Sequence, residues 1–318
     1  MQDLLAIYRK ELSDHFSSNR FVIIFGLIAM VSFITSYMAG INLRENIEGE
    51  KPTFIFLLLF SSPGAMLSMM QFVAFFGPLI GIVLGFDSIN RERAHGTLIK
   101  IISQPIYRDA VINGKFLAGI TTISIMLLSI ILVITGFGLT ILGIVPGSEE
   151  IIRIFIFFVI SVFYISFWLA LSILFSILFR NIATSALASI AAWIFLSFFI
   201  SLGADVMADS LAPIDQKEGI RQETLIRHIR IKEIVSHFSP LVLYSDASST
   251  IINPLRKTTR SLVFMGPVER LSASRFQNPL PVSQSLLVVY PHIVALIAIS
   301  VICFAISYTV FMLQEIRV

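Results

Sequence analysis

Charged side chains are scarce in this sequence. They make up 14% of its 318 residues, against roughly 25% in an average soluble domain, and they crowd into a few segments separated by long stretches with none. That distribution excludes a soluble enzyme, and a hydrophobic share of 56% excludes disorder. Cysteine is nearly missing as well. The single Cys303 lies in an apolar run, so no intrachain disulfide forms and a secreted disulfide scaffold is excluded. No G-x-x-x-x-G-K-[ST] loop, H-E-x-x-H pair or G-x-S-x-G elbow occurs, so the phosphate-cradling, zinc-hydrolase and serine-nucleophile devices built on those spacings are absent. A net charge of +3 gives nucleic-acid binding no support.

What is present is length without charge. Six stretches contain no Asp, Glu, Lys or Arg: Phe21–Ile41, Thr53–Phe86 with its spanning part after Pro63, Phe116–Pro146, Ile154–Phe179, Asn181–Gly203 and Ile293–Leu313. A bilayer core of about 30 Å needs roughly 20 helical residues, and none of the six shows the period-2 alternation of a membrane barrel. The expected fold is an all-α membrane protein with six transmembrane helices. An even number of spans puts both termini on one side. If that side is cytoplasmic, the inner segments hold Arg9, Lys10, Arg20, Arg91, Arg93, Lys100, Arg108, Lys115, Arg180 and Arg317, and the short outer loops only Arg44, Lys51 and Arg153, as the positive-inside rule requires. A multi-pass protein of the cell membrane with both termini cytoplasmic is the expectation.

The organisation follows from the spans: residues 1–20 as an N-terminal interfacial helix, 21–203 as transmembrane helices 1–5, 204–292 as an extracytoplasmic domain, and 293–318 as transmembrane helix 6 with a cytoplasmic end. In the first segment Leu4, Leu5, Tyr8, Leu12 and Phe16 fall on one helical face and Arg9, Lys10, Ser13 and Asp14 on the other, the pattern of a helix lying in the membrane interface. Its mixed charges, with Asp3, Glu11 and Asp14 among the bases, mark the first span as a retained anchor rather than a signal peptide.

The loop 86–116 has an internal logic. Asp87 or Ser88 is placed to cap a short helix carrying Arg91, Glu92 and Arg93. Gly96 is placed to end it in a left-handed turn, and Thr97 to cap a second helix, Leu98 to Ser103, that Pro105 stops. Gly114-Lys115 marks re-entry into the bilayer. The product is a helix–turn–helix projecting into the cytoplasm.

The order Asp87, Glu92-Arg93, Gly96-Thr97-Leu98, Ser103, Pro105, Arg108, Gly114-Lys115-Phe116 resembles the first cytoplasmic loop of type-2 ATP-binding-cassette (ABC) permeases. Tyr8-Arg9-Lys10-Glu11-Leu12 resembles the start of that family. Ser283-Gln284-Ser285-Leu286 and Phe311-Met312-Leu313-Gln314-Glu315-Ile316-Arg317 resemble its last span. The likeness is nearest the subgroup that includes the permease of the nitrous-oxide-reductase copper-maturation transporter. It implies a permease subunit, not itself an enzyme, that performs ATP-driven transport, in the export direction, as a dimer with a second copy of itself. Two copies of a cytosolic ABC ATPase would bind the ATP and Mg, and this chain would hold no cofactor. The residues implied for ATPase coupling are Asp87, Glu92, Arg93, Gly96, Thr97, Leu98, Pro105 and Arg108, with Tyr8, Lys10 and Glu11 on the interfacial helix; no catalytic residue is implied. Membrane lipid and an extracytoplasmic partner complete the expected contacts. Two alternatives stand beside this reading: a subunit that transmits force to an extracytoplasmic maturation factor without moving a solute, and an ion-coupled secondary transporter. The latter is disfavoured by spans without a carboxylate.

Elsewhere, Arg227, His228, Arg230 and Lys232 form a basic cluster that reads as a solvated helix face or an anion site. Spacing finds no metal set: His228 and His237 miss the i, i+4 relation and no neighbouring carboxylate or Cys joins them. Met66, Met69 and Met70 suit apolar packing or a soft metal. Gly77, Gly81 and Gly85 form a small-residue ridge for close helix packing.

Overall fold

The computed structural model describes residues 2–46, 54–61, 68–97, 107–143, 145–213, 222–256 and 279–314. Among these it is helical without strands, and six helices are long and apolar enough to cross a membrane. In chain order the helices are α1 (Gln2–Phe16), α2 (Asn19–Asn46), α3 (Ile55–Ser61), α4 (Met69–Gly85), α5 (Asn90–Ala94), α6 (Arg108–Leu142) and α7 (Ser148–Leu178). They continue with α8 (Ile182–Ile194), a π-helical turn (Phe195–Phe199), α9 (Ile200–Leu211), α10 (Gln222–Ser236), α11 (Pro240–Ile252) and α12 (Val282–Leu313). The spans are α2, α4, α6, α7, α8 running through the π turn into α9, and α12. The chain is a multi-pass membrane protein.

Helix α7 is the central pillar, packed by α4, α6, α8, α11 and α12. Its partner α4 comes close because of the glycine ridge. A Cβ on Gly81 would stand 2.7 Å from the Ile165 carbonyl oxygen and 2.8 Å from the Leu169 nitrogen, and one on Gly85 2.9 Å from the Leu169 carbonyl oxygen. Those are backbone atoms that cannot swing aside, so the absence of a side chain on α4 is what allows the approach. Ser172 then donates to the Ile82 carbonyl at 2.9 Å and the Tyr164 hydroxyl to the Ala74 carbonyl at 2.7 Å.

On its other side α7 carries α12 in parallel, in a constant register. Ser300 donates to the Phe163 carbonyl at 3.1 Å, Ser307 to the Ala170 carbonyl at 3.1 Å, and Gln314 to the Ile177 carbonyl at 3.3 Å, each 137 residues apart. The three donors recur every seven residues, and the buried positions Val289, His292, Leu296, Ser300, Cys303, Ser307 and Phe311 follow the 3–4 spacing of a heptad seam. Interhelical hydrogen bonds of this kind contribute about 0.6 kcal/mol each on average. By contrast α2 and the α8–α9 span leave many of their apolar side chains exposed, among them Ile23, Met30, Leu187 and Phe195.

Several boundaries differ from the sequence reading. Helix α12 begins at Val282, eleven residues before the expected Ile293, because the Ser, Gln, Pro and His of that stretch lower hydropathy without preventing a helix. Helix α6 begins at Arg108, ahead of Gly114-Lys115, which therefore lie inside it. Within 204–292, residues up to Leu211 continue the fifth span as α9, and α10 folds back along it, with Lys232 paired to Asp205 and the His228 Nδ1–H donating to the Ala212 carbonyl at 3.0 Å. Helix α11 is not a peripheral element. Its Tyr244 ring stacks on Tyr164, in the middle of α7, with centroids 4.3 Å apart, and the two hydroxyls of Tyr244 and Ser161 lie 2.9 Å apart.

Candidate coupling site

Five-residue α5 is too short to be stable alone, and its bonds to the rest of the chain explain why it forms. Its first turn is capped from a distance: Ser176 of α7 accepts from the backbone N–H of Ile89 at 3.0 Å and of Asn90 at 3.1 Å. This corrects the expectation that Asp87 or Ser88 provides the cap. Asp87 contributes only its backbone carbonyl, to Arg91 N at 2.8 Å, and its carboxylate pairs instead with Arg20 at 2.8 Å. The other end is as expected: Gly96 adopts φ +68°, a left-handed turn that side chains resist.

Along α5, Glu92 is the inward-facing charge. It receives Lys10 of α1 at 2.7 Å and lies 3.6 Å from Lys115 of α6. The Thr97 hydroxyl donates to both its side chain and its backbone carbonyl. Arg93 donates to the Gln314 side chain at the end of α12 at 3.0 Å, and Arg108 to the Gln314 carbonyl at 3.2 Å. Asn90 reaches the Asn181 carbonyl, in the turn between α7 and α8, at 3.5 Å. Arg91, Ala94, His95 and Gly96 remain exposed. The same short helix thus touches α1, α6, α7, α12 and the α7–α8 turn.

Helix α1 is fixed by the same charges. Glu11 is buried and accepts from Lys115, itself 4% exposed, at 2.7 Å and from Lys10 at 3.0 Å. Burial works against its carboxylate, but the Lys115 and Lys10 ammonium groups outweigh it and hold the pKa below the ordinary carboxylate value. Lys10 is raised for the complementary reason, its contacts with Glu92 and Glu11 overcoming the cost of burial. Burial lowers His15. Beside this network, Tyr8 donates to Thr121 at 3.1 Å, and Gly114 lets α1 approach so closely that a Cβ there would stand 2.8 Å from Ile7 Cγ2. Leu5 and Phe16 stay exposed. A polar cleft of about 290 Å³ opens among these residues, lined by Lys10, Glu11, His15, Arg20, Asp87, Arg91, Glu92, His95 and Lys115.

Of the residues singled out from the sequence, the fold joins Lys10, Glu11, Asp87, Glu92, Thr97, Arg93 and Arg108 through one set of contacts around α5. Tyr8 anchors α1 on α6. Leu98 and Pro105, with the second loop helix, lie outside the described residues. Lys115, Ser176, Arg20 and Gln314 join the site without having been assigned to it, since their partners are distant in sequence. Met69 is buried, its sulfur accepting from Ser32 at 3.6 Å, and Met66 lies outside the described residues.

At the other end of α7, Arg153 is fully buried. It donates to the Ile251 carbonyl of α11 at 2.8 Å, to Ser285 of α12 at 3.2 Å, to Glu149 at 3.0 Å and to the Leu280 carbonyl. Close by, Glu150 accepts from Gly147 N at 2.8 Å and Phe56 N at 3.0 Å. Neither residue was read from sequence as more than an outer-loop charge.

A family model described as ABC-2 family transporter protein matches residues 5–316 of the chain. A 95-residue stretch is 33% identical to the probable ABC transporter permease protein NosY of Pseudomonas aeruginosa, covering 29% of this chain and 32% of that relative. The matched stretch thus spans about a third of that protein's length.

Proposed function

The chain belongs to the ABC-2 transporter family, as a membrane permease subunit, and on that premise we propose that α5 is the element through which a separate cytosolic ATPase drives it. One observation carries this reading: a five-residue helix bonded to α1, α6, α7, α12 and the α7–α8 turn, with one face left bare. A push on the Arg91–His95 face is transmitted to all of them, because the links are packed and hydrogen-bonded rather than compliant. In this proposal Glu92 and Arg93 are transmission residues that hold α5 to the bundle, and Arg91 and His95 make the ATPase contact. ATP and Mg sit on two ATPase copies, a second permease copy packs along the exposed spans with lipid covering the rest, and the movement drives export. Both termini face the cytoplasm, as the ten bases on that side support.

Replacing Arg91 and His95 together by Glu tests the docking face. The ATPase should no longer co-purify with the permease, and unchanged co-purification with unchanged ATP turnover would defeat the proposal. For orientation, a Cys at exposed Arg230 in a Cys303→Ser background should react with an impermeant thiol reagent in intact cells; labelling only after lysis reverses the topology.

The insertion of α11 against the middle of α7 favours a second reading. Motion of α7 would then reach an extracytoplasmic maturation factor through α11 with no solute moved. Solute uptake or release by the purified complex in vesicles discriminates the two.

A further inference from the structure

Chain spacing gave His237 no metal partners, yet the fold supplies two. His237 closes the link between α10 and α11, Asp246 sits on α11, and His292 sits on α12. One donor atom from each lies within 4.8 Å of the others. The two imidazoles meet edge to face with centroids 5.0 Å apart. His292 is 7% exposed, and neither of its ring nitrogens has a hydrogen-bond partner among the described residues. A buried imidazole with both nitrogens idle is costly, and here it stands beside a second imidazole and a carboxylate. Arg256 donates to Asp246 Oδ1 at 3.1 Å, orienting the carboxylate as outer-shell partners of metal ligands do.

From this geometry we propose that His237, Asp246 and His292 bind a first-row divalent transition-metal ion of the zinc class. Two imidazoles and one carboxylate are the donors that suit such an ion, and the set contains none of the sulfur a soft monovalent ion prefers. Ligand atoms about 2.0–2.1 Å from one zinc stand about 3.3 Å apart, so the trio closes onto the ion by small side-chain rotations, which His237, in a helix-to-helix link, is placed to make. Three protein ligands leave the fourth position to water or an incoming ligand. The bound ion staples the α10–α11 link to α12. By the register with α7, His292 stands opposite the first turns of that helix, about 33 Å along α12 from Gln314 at 1.5 Å per residue. The site is therefore remote from the α5 contacts and independent of them.

The test uses the untagged full-length chain in detergent, stripped with chelator and exchanged into zinc chloride. The expected result is about one zinc retained per chain after desalting and a thermal transition that rises with zinc concentration, as binding to the folded state demands. His237→Ala, whose side chain is only half-buried, and Asp246→Asn should each lose the retained zinc and the zinc-dependent rise; without zinc, His237→Ala should unfold at the stripped wild-type temperature and Asp246→Asn, which gives up the charge facing Arg256, slightly below it. Loss of both zinc effects in two variants that are otherwise folded like the wild type supports the site. Zinc retention by either variant equal to wild type, or no zinc retained by the wild type, overturns it.

Discussion

The two ends of α7 are held in opposite ways. At the α5 end, charges from separate elements meet one another: Lys10 and Lys115 converge on Glu11 and Glu92, and Arg20 on Asp87. At the other end Arg153, fully buried, is surrounded mostly by neutral acceptors of α11, α12 and the segment before α12. Of these pairs Arg20–Asp87 and Lys10–Glu92 are partly wet, so solvent offsets part of what is lost when one partner is removed, whereas Glu11 and Lys115 are buried. A buried arginine has no such substitute. The first arrangement suits a joint that receives motion, the second a fixed anchor against which the motion works.

The contrast predicts graded losses. Arg153→Ala should be the most damaging change, costing about 3–5 kcal/mol by leaving buried carbonyls and Glu149 without their donor, and the thermal transition in detergent should fall accordingly. Gly81→Val should follow at about 1–3 kcal/mol, since its side chain would press on α7 backbone atoms 2.7–2.8 Å from the Cβ position. Glu11→Gln should cost about 1–3 kcal/mol, freeing α1 from Lys115. Because the Glu11 pKa is lowered in the folded protein, its contribution is complete above the ordinary carboxylate pKa and is lost as pH falls through the lowered value. The difference in transition temperature between wild type and Glu11→Gln should therefore be constant near neutrality and shrink below about pH 4. Arg20→Gln should be the mildest, under about 1 kcal/mol, since that arginine is 58% exposed. Equal losses at Arg20 and Arg153 would erase the distinction between joint and anchor.

The six spans were legible because lipid demands uninterrupted apolar length, and no tertiary partner is needed to read it. Gly81 and Gly85 were legible for a similar reason: their spacing on α4 states a close approach before the opposing helix is known. The turn at Gly96 follows from a backbone conformation that local sequence controls. Ser176 capping α5 was not legible, being 87 residues from Ile89, and an undistinguished serine in an apolar helix gives no sign of its target. Arg153 looked like a loop base because Ser148, Glu149 and Glu150 stand a turn before it at the edge of the span, while Ser285, which it clamps, is 132 residues away. Spacing could not bring His237 to Asp246 and His292, because these come from α11 and α12 rather than from its own helix.

The central claim is that the bare face of α5 meets the ATPase. A photoactivatable phenylalanine analogue in place of His95, in the intact permease–ATPase complex in lipid nanodiscs, addresses it directly, with the same residue in place of exposed Leu287 on the far end of α12 as the comparison. The account predicts a covalent adduct with the ATPase from position 95 and none from position 287. No adduct from position 95 in a complex that still co-purifies would contradict it.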